Sequence, residues 1–118
     1  MKKRTFLITG ASKGIGRALS ERLSSAGHKV VGIARGSDPG FPGELVSIDF
    51  DDTRRAKHAL ADLARADSFD GLVNNVGLAR LAALGQIDLA EADELFRLNV
   101  HSAILGAQAI LPAMREQG

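Results

Sequence analysis

Residues 9–16 read TGASKGIG and place three glycines within seven positions, directly after the β-rich run TFLI at residues 5–8. Glycine weakens strands and helices, so a cluster of glycines needs a geometric reason. Ligands of α/β sheets gather at the carboxyl ends of the strands, where bare backbone and a helix N-terminus can hold a phosphate. The stretch therefore predicts a phosphate-binding turn, although a turn with a purely structural role would use glycine as well.

The spacing of these glycines is G-x-x-x-G-x-G, which is neither the G-x-G-x-x-G fingerprint nor a P-loop. Gly10 is expected to make the turn, and Gly14 is expected to admit a pyrophosphate. Gly16 is expected to let the following helix pack closely against the strand. Three glycines alone are weak evidence, but the strand and helix patterns on either side of them favour the binding interpretation.

Four runs of apolar residues predict buried strands. They span residues 5–9, 28–34, 44–48 and 70–74. Helical patterns separate them, and this alternation indicates a parallel sheet that is covered by helices. Because crossovers between parallel strands are right-handed, we expect a Rossmann-like doubly wound α/β sheet of four strands in the order 3-2-1-4. That is roughly the first half of a dinucleotide-binding fold with one further strand.

Three helices are predicted from apolar residues at helical spacing. The apolar face of the first consists of Ile15, Leu19, Leu23 and Ala26. Gly27 should end this helix, and Asp51 or Asp52 should begin the second. The third helix is expected over residues 91–111, with Pro112 kinking or ending it.

The composition describes one ordinary globular domain. With 118 residues, 45% of them apolar, the chain is expected to be a single dinucleotide-binding domain over residues 1–118. The absence of cysteine excludes disulfides and thiolate chemistry, and no residue spacing suggests a metal site. Apolar runs are too short for a membrane span or a signal peptide, so we expect a cytoplasmic protein with no membrane partner.

The net charge of +1 conceals an asymmetry along the chain. Residues 1–35 carry eight Lys or Arg and a single acid, Glu21, whereas the remainder carries seven bases and thirteen acids. A basic segment around a glycine loop could attract a phosphorylated ligand, although Lys2, Lys3 and Arg4 could equally form a solvated flank. Nucleic acid is not an expected partner, because the chain has no Trp or Tyr to stack on bases.

The motifs together resemble the short-chain dehydrogenase/reductase family. TGASKGIG is similar to the cofactor signature of that family, and NNVG at residues 74–77 is similar to its NNAG element after the fourth strand. Asn99 lies in a segment, LNV, like the one that carries the catalytic asparagine of the family, and Asp49 matches an acid that contacts the adenine. The resemblance covers residues 5–115, and it is the common register of the four motifs that makes it specific.

The resemblance implies a set of cofactor-binding residues and one catalytic residue. The cofactor-binding residues would be Gly10, Ser12, Lys13, Gly14, Ile15, Gly16, Arg35, Asp49, Phe50, Asn75, Val76 and Gly77. Asn99 would help to hold a water for proton relay. Asn74 would join the fourth strand to the glycine loop, through Thr9. The more conservative interpretations are turn-forming asparagines at 74 and 75 and a surface asparagine at 99.

The end of the second predicted strand indicates which nicotinamide cofactor is bound. NAD sites place an acid there for the ribose 2′-hydroxyl, but this chain reads Ala34-Arg35-Gly36 and has no acid before Asp38. Arg35 and Lys13 would suit the 2′-phosphate of NADP, because a guanidinium grips a phosphate in a fork. We therefore expect NADP rather than NAD, unless both cations simply point into water.

The catalytic residues of the family are incomplete in this sequence. The family uses a tyrosine, a lysine four residues later and a serine to reduce a carbonyl or oxidise an alcohol, and the chain contains no tyrosine. The chain is therefore expected to be the cofactor-binding part of a longer oxidoreductase and inactive by itself. The alternatives are a non-catalytic dinucleotide-binding or regulatory module, and a folded remnant that binds nothing. A homo-oligomer through helix 91–111 or the edge of the fourth strand is also expected.

Overall fold

A computed structural model describes residues 2–118 and contains one four-stranded parallel sheet. The strands are β1 (Thr5–Thr9), β2 (Lys29–Ala34), β3 (Glu44–Ser47) and β4 (Gly71–Val73). They lie in the order β3-β2-β1-β4, and each neighbouring pair is parallel. The predicted Rossmann-like sheet is confirmed, with β3 and β4 at its two edges.

Helices connect and cover the strands. They are α1 (Gly14–Ser25), α2 (Thr53–Ala66), α3 (Leu89–Phe96), a π-helical turn (Arg97–His101) and α4 (Ser102–Gln117). Across the described residues, no helix combines the length and the apolar character that a membrane crossing requires. From residue 77 onwards, the long connection between β4 and α3 is exposed to solvent.

Two apolar clusters lie on opposite faces of the sheet. The larger packs the sheet against α2 and α4 around Leu7, Val31 and Leu60. The smaller packs it against α1 and the loop before β3, around Ile8 and Phe41. Successive side chains of β1 point to opposite faces of the sheet. Because both faces are covered, a strand that is buried on both sides has a continuous apolar run.

The end of α1 and the start of α2 follow the predicted signals. Gly27 has a φ of +92° after α1, and its N–H donates to the carbonyl of Ser24 while the next N–H, of His28, donates to that of Leu23. This pair of bonds is the Schellman motif, which satisfies the last carbonyls of a helix. At the start of α2, Asp52 Oδ1 accepts the Arg55 N–H at 3.1 Å, so Asp52 rather than Asp51 is the cap.

The third predicted helix is longer and less regular than expected. It runs from Leu89 to Gln117 through the π-helical turn and does not end at Pro112. Proline removes one helical hydrogen bond, but Pro112 and Gln108 are both exposed, so water can reach the carbonyl that is left over. Beyond the proline, Met114 packs on the larger cluster and holds the final turn in place.

Replacing Leu60 by alanine tests the larger cluster. Leu60 is 1% exposed, so the change should create a cavity and lower the free energy of unfolding by about 2–5 kcal/mol. Urea titration followed by circular dichroism measures the difference. Lys57→Ala on the exposed face of the same helix is the control and should change the value by less than about 0.5 kcal/mol. Equal effects of the two changes would show that Leu60 is not part of a packed core.

Candidate functional site

A cleft of about 720 Å³ opens at the carboxyl ends of the strands. The glycine loop after β1, the end of β2 with the residues after it and the residues after β4 form most of its wall, and Ile48, Phe50 and Leu98 complete it. Most of the predicted cofactor-binding residues are in its wall, namely Gly10, Ser12, Lys13, Gly14, Ile15, Arg35, Phe50, Asn75, Val76 and Gly77. Motifs that lie up to 67 residues apart in sequence therefore meet at one site.

The glycine loop presents bare backbone to this cleft. Gly10 and Gly14 have φ values of +62° and +53°, a region that residues with a Cβ rarely adopt. A Cβ on Gly14 would meet no other atom, so glycine there serves the backbone conformation and leaves the surface open. Ile15 was predicted to be on the buried face of α1 but is 79% exposed, because α1 begins only at Gly14 and its first turn faces the cleft.

The first turn of α1 differs from the starts of α2 and α3. Asp52 and Asp88 cap those two helices through their side chains. Lys13, the N-cap of α1, makes no such bond within the described structure, and the first turn of α1 contains no acid. The amides that open α1 are thus left for solvent or an anion, and the helix dipole adds a favourable field for negative charge. The site therefore fits a phosphate group.

Gly16 lies behind the cleft rather than in its wall. A Cβ at this position would come within 2.3 Å of the Gly10 carbonyl oxygen and within 2.6 Å of Asn75 Nδ2. Asn75 Nδ2 itself donates to that same Gly10 oxygen at 3.1 Å. Gly16 was predicted to allow close packing. The lack of a side chain at Gly16 leaves room for the hydrogen bond that joins the glycine loop to the residues after β4.

Thr9 is the centre of the connection between β1 and β4. Its hydroxyl oxygen accepts the N–H groups of Asn75, at 2.9 Å, and of Val76, at 3.2 Å, and Thr9 is only 1% exposed. The prediction that Asn74 makes this connection is wrong by one residue. Because β4 ends at Val73, Asn74 turns towards α4, where a Cβ on Gly106 would lie 3.0 Å from its Oδ1.

The two predicted cations lie at the cleft, and among residues 2–118 neither has a carboxylate oxygen within 4 Å. Lys13 and Arg35 are both exposed and both line the cleft. The Arg35 backbone is fixed, since its carbonyl accepts the Ser47 hydroxyl at 2.9 Å. Asp49 is exposed and is not part of the cleft wall, and its Oδ1 accepts the Asp51 N–H at 2.9 Å.

Asn99 lies in the π-helical turn and binds backbone rather than lining the cleft. Its Oδ1 accepts the Leu78 N–H at 2.8 Å, and its Nδ2 donates to the Leu78 carbonyl at 2.8 Å. Leu78 belongs to the cleft wall and follows directly on Gly77. Asn99 therefore holds the segment after β4 in position, and π-helical turns, although rare, are frequently found at functional sites.

An ion pair joins the same turn to the segment between β3 and α2. Arg97 Nε donates to Asp51 Oδ1 at 2.6 Å, and this hydrogen bond raises the pKa of Arg97 above its usual value. The neighbouring Leu98 is buried and lines the cleft, as does Phe50.

Among the described residues, no group of three or more His, Asp or Glu side chains could hold a metal ion.

Sequence reasoning missed several residues of the cleft wall. The additional lining residues are Ile33, Ala34, Gly36, Ser37, Asp38, Ile48, Leu78 and Leu98. Leu78 directly follows the NNVG motif and could have been found by extending it. Ser37 and Asp38 lie in a loop whose glycines and prolines give no periodic pattern, so their position depends on tertiary contacts.

The sheet, the loop and the uncapped helix together define a Rossmann-like dinucleotide-binding fold. A family model, short chain dehydrogenase, matches residues 4–118. The chain therefore belongs to the short-chain dehydrogenase family, as its motifs suggested. Sorbitol dehydrogenase of Cereibacter sphaeroides is 32% identical over 120 residues, which cover 94% of this chain and 47% of that protein.

Solved structures agree with this assignment. A short-chain dehydrogenase from Streptomyces avermitilis is 36% identical with a TM-score of 0.86, over 98% of this chain and 46% of that one. L-Sorbose reductase from Gluconobacter frateurii, solved with NADPH and L-sorbose, is 26% identical with a TM-score of 0.86. The match covers 100% of this chain and 50% of the reductase. An NADH-dependent reductase, solved with NAD, is 27% identical with a TM-score of 0.86. That match covers 98% of this chain and 54% of the reductase. The chain thus spans about half the length of the relatives that it matches.

Replacing Thr9 by valine tests the connection between the glycine loop and β4. Valine has nearly the same shape but leaves the Asn75 and Val76 N–H groups without their acceptor. We expect the free energy of unfolding to fall by about 1–3 kcal/mol, measured by urea titration. Thr9→Ser keeps the hydroxyl and is the matched control, with a smaller loss. If serine and valine were equally destabilising, the hydroxyl would not be the group that matters.

Proposed function

We propose that this protein is an NADP(H)-dependent oxidoreductase, and that residues 1–118 form its single dinucleotide-binding domain. The observation that carries the proposal is the start of α1, where Gly14 presents open backbone and Lys13 provides no side-chain cap. An anion is the natural partner of such a helix start, and a dinucleotide would bring two phosphates to it. Membership of the dehydrogenase family supports the same ligand.

The ribose end of the cleft supports NADP in preference to NAD. The residue that follows β2 is Arg35, and both Arg35 and Lys13 line the cleft. Two cations at this end would favour the 2′-phosphate of NADP over the 2′-hydroxyl of NAD. The structural neighbours include proteins solved with each cofactor, so the preference depends on these two side chains.

The chemistry of the proposed reaction is divided between this chain and other groups. When bound, a nicotinamide would supply or accept the hydride at the carbon of a small carbonyl compound or alcohol. Asn99 would contribute by holding Leu78 and the cleft wall at a fixed position. A proton donor is also needed, and the 118 residues contain no tyrosine to provide it. We infer that a serine and a Tyr-x-x-x-Lys pair would come from outside these residues.

A non-catalytic dinucleotide-binding or regulatory module is the second candidate function. The lack of tyrosine favours it, since binding needs only the glycine loop and the residues after β2 and β4. The two candidates agree on the ligand and differ in turnover. A coding sequence that continues into a Tyr-x-x-x-Lys motif would support the oxidoreductase, and NADPH binding by a complete protein without turnover would support the module.

Self-association is a further part of this proposal. Phe96, Val100, Ile104 and Leu111 are exposed apolar residues on α3, the π-helical turn and α4. Their spacing places them near one face, and β4 pairs only with β1 within the described sheet. Exposed apolar faces and open strand edges favour association, which supports a homo-oligomer through one of these surfaces.

Titration with NADPH and NADH tests the proposed cofactor. We expect NADPH to bind more tightly, because its 2′-phosphate meets Arg35 and Lys13. Arg35→Asp should weaken the binding of NADPH at least about tenfold, because a carboxylate repels the 2′-phosphate, and it should have little effect on the binding of NADH. Dissociation constants from nicotinamide fluorescence or calorimetry measure the change.

A charge reversal at the opposite end of the sheet is the control. Arg4 precedes β1 and is exposed, so Arg4→Asp should leave the affinities for both cofactors within about twofold. At 100 times its dissociation constant, NADPH should also stabilise the wild-type chain by about 2.7 kcal/mol. An unchanged preference in Arg35→Asp would contradict the assignment of Arg35, and the lack of any binding would contradict the proposed function.

A further inference from the structure

Arg17 lies in the first turn of α1, beside the cleft but outside its lining. Its Nη1 forms an ion pair with Asp38, and its Nη2 donates to the Gly40 carbonyl at 3.0 Å. Its Nε donates to Glu21 Oε1 at 3.1 Å, and the guanidinium carbon lies 5.8 Å from the centre of the Phe41 ring. All three nitrogens of the guanidinium are therefore engaged within the protein.

Asp38 is the first acid after β2, and it lines the same cleft as Arg35. Its Oδ1 accepts the Gly40 N–H at 3.1 Å, while its Oδ2 takes part in the pair with Arg17. The side chains of Arg17 and Asp38 are only 27% and 24% exposed. Charges shielded to this extent are screened less by salt than surface charges are.

We propose that Arg17 determines the cofactor specificity of the site without touching the cofactor. It neutralises Asp38 and holds that carboxylate against α1, so that the 2′-phosphate of NADP meets only the positive charges of Lys13 and Arg35. Arg17 is thus a positioning residue that acts through Asp38. This inference rests on the proposed function, because it concerns the phosphate that distinguishes NADP from NAD.

The physical reason lies in what Asp38 would do if Arg17 were absent. Its carboxylate would be free to pair with Arg35, three residues earlier, or to repel a 2′-phosphate directly. It could also accept a hydrogen bond from a ribose 2′-hydroxyl, as an acid near the end of the second strand does in NAD sites. Each of these changes would lower the affinity for NADP and would leave the affinity for NAD unchanged or raise it.

The test measures the dissociation constants of NADPH and NADH for Arg17→Gln at low ionic strength. We expect NADPH to bind about tenfold more weakly, and NADH to bind as in the wild type or more tightly. Adenosine 2′,5′-bisphosphate and adenosine 5′-monophosphate are the corresponding probes without nicotinamide, and they should show the same contrast. Arg22→Gln removes the same charge from an exposed position on α1 and should leave the ratio of affinities unchanged.

A second substitution separates the electrostatic role from a structural one. Asn in place of Asp38 can still accept the Gly40 N–H but carries no charge, so Arg17→Gln with Asp38→Asn should restore NADPH binding to within about threefold of the wild type. If Arg17 merely anchored the loop, Arg17→Gln would weaken the binding of both cofactors equally, and adding Asp38→Asn would not restore the binding of NADPH. Either of those results would overturn the inference.

The outcomes distinguish failure of this inference from failure of the proposed function. A wild-type chain that prefers NADPH, with the same preference in Arg17→Gln, overturns the role of Arg17 and leaves the proposed function intact. A wild-type chain that prefers NADH, or binds neither cofactor, contradicts both. Circular dichroism checks folding, and if Arg17→Gln does not fold, Arg17→Lys and Asp38→Asn replace it. Both should keep the NADPH preference, and loss of NADH binding by Asp38→Asn would overturn the inference.

Discussion

The hydrogen bonds between the ends of β1 and β4 are the constraint on which the site depends. One buried hydroxyl, that of Thr9, accepts two backbone N–H groups from the segment after β4, and Asn75 returns a bond to the Gly10 carbonyl. These bonds fix the glycine loop without using the amides at the start of α1. The loop is therefore rigid on the protein side and still has unoccupied donors on the side of the cleft.

The distribution of charge follows from the same arrangement. The basic first third of the chain brings Lys13 and Arg35 to the cleft, while Arg17 is engaged with acids on its own side of α1. Cations of one segment thus have two roles, one towards a ligand and one towards a neighbouring carboxylate. The net charge of the segment alone could not separate these roles, because they depend on which side chains are already paired.

The sequence predicted the sheet well because its signals are local. Apolar runs separated by helical patterns leave few topologies for a parallel sheet, and the order of the strands followed from the handedness of the crossovers. The stop at Gly27 could also be predicted, and the cap of α2 could be narrowed to Asp51 or Asp52, since each signal depends on one residue and its immediate neighbours. The family of the protein followed from motifs whose common register is visible in the sequence.

The errors fall where tertiary contacts decide the outcome. Asn75 rather than Asn74 contacts Thr9, because the strand ends one residue earlier than its apolar pattern indicated. Of the two outcomes expected at Pro112, a kink or an end of the helix, the end does not occur, because the packing of the last turn outweighs one missing bond. Arg17 and Asp38 lie 21 positions apart in sequence, separated by the rest of α1, β2 and two loops, and their pairing has no signature in the sequence.

The position of bound phosphate is the most direct test of the central claim, that uncapped amides beside the glycine loop hold a dinucleotide. Amide ¹H–¹⁵N correlation spectra of the chain, recorded during titration with NADPH, would locate it. The largest shifts are predicted for the amides of Gly14, Ile15 and Gly16, with smaller shifts at Asn75 to Gly77. Shifts that concentrate elsewhere, or that do not occur, would contradict the claim.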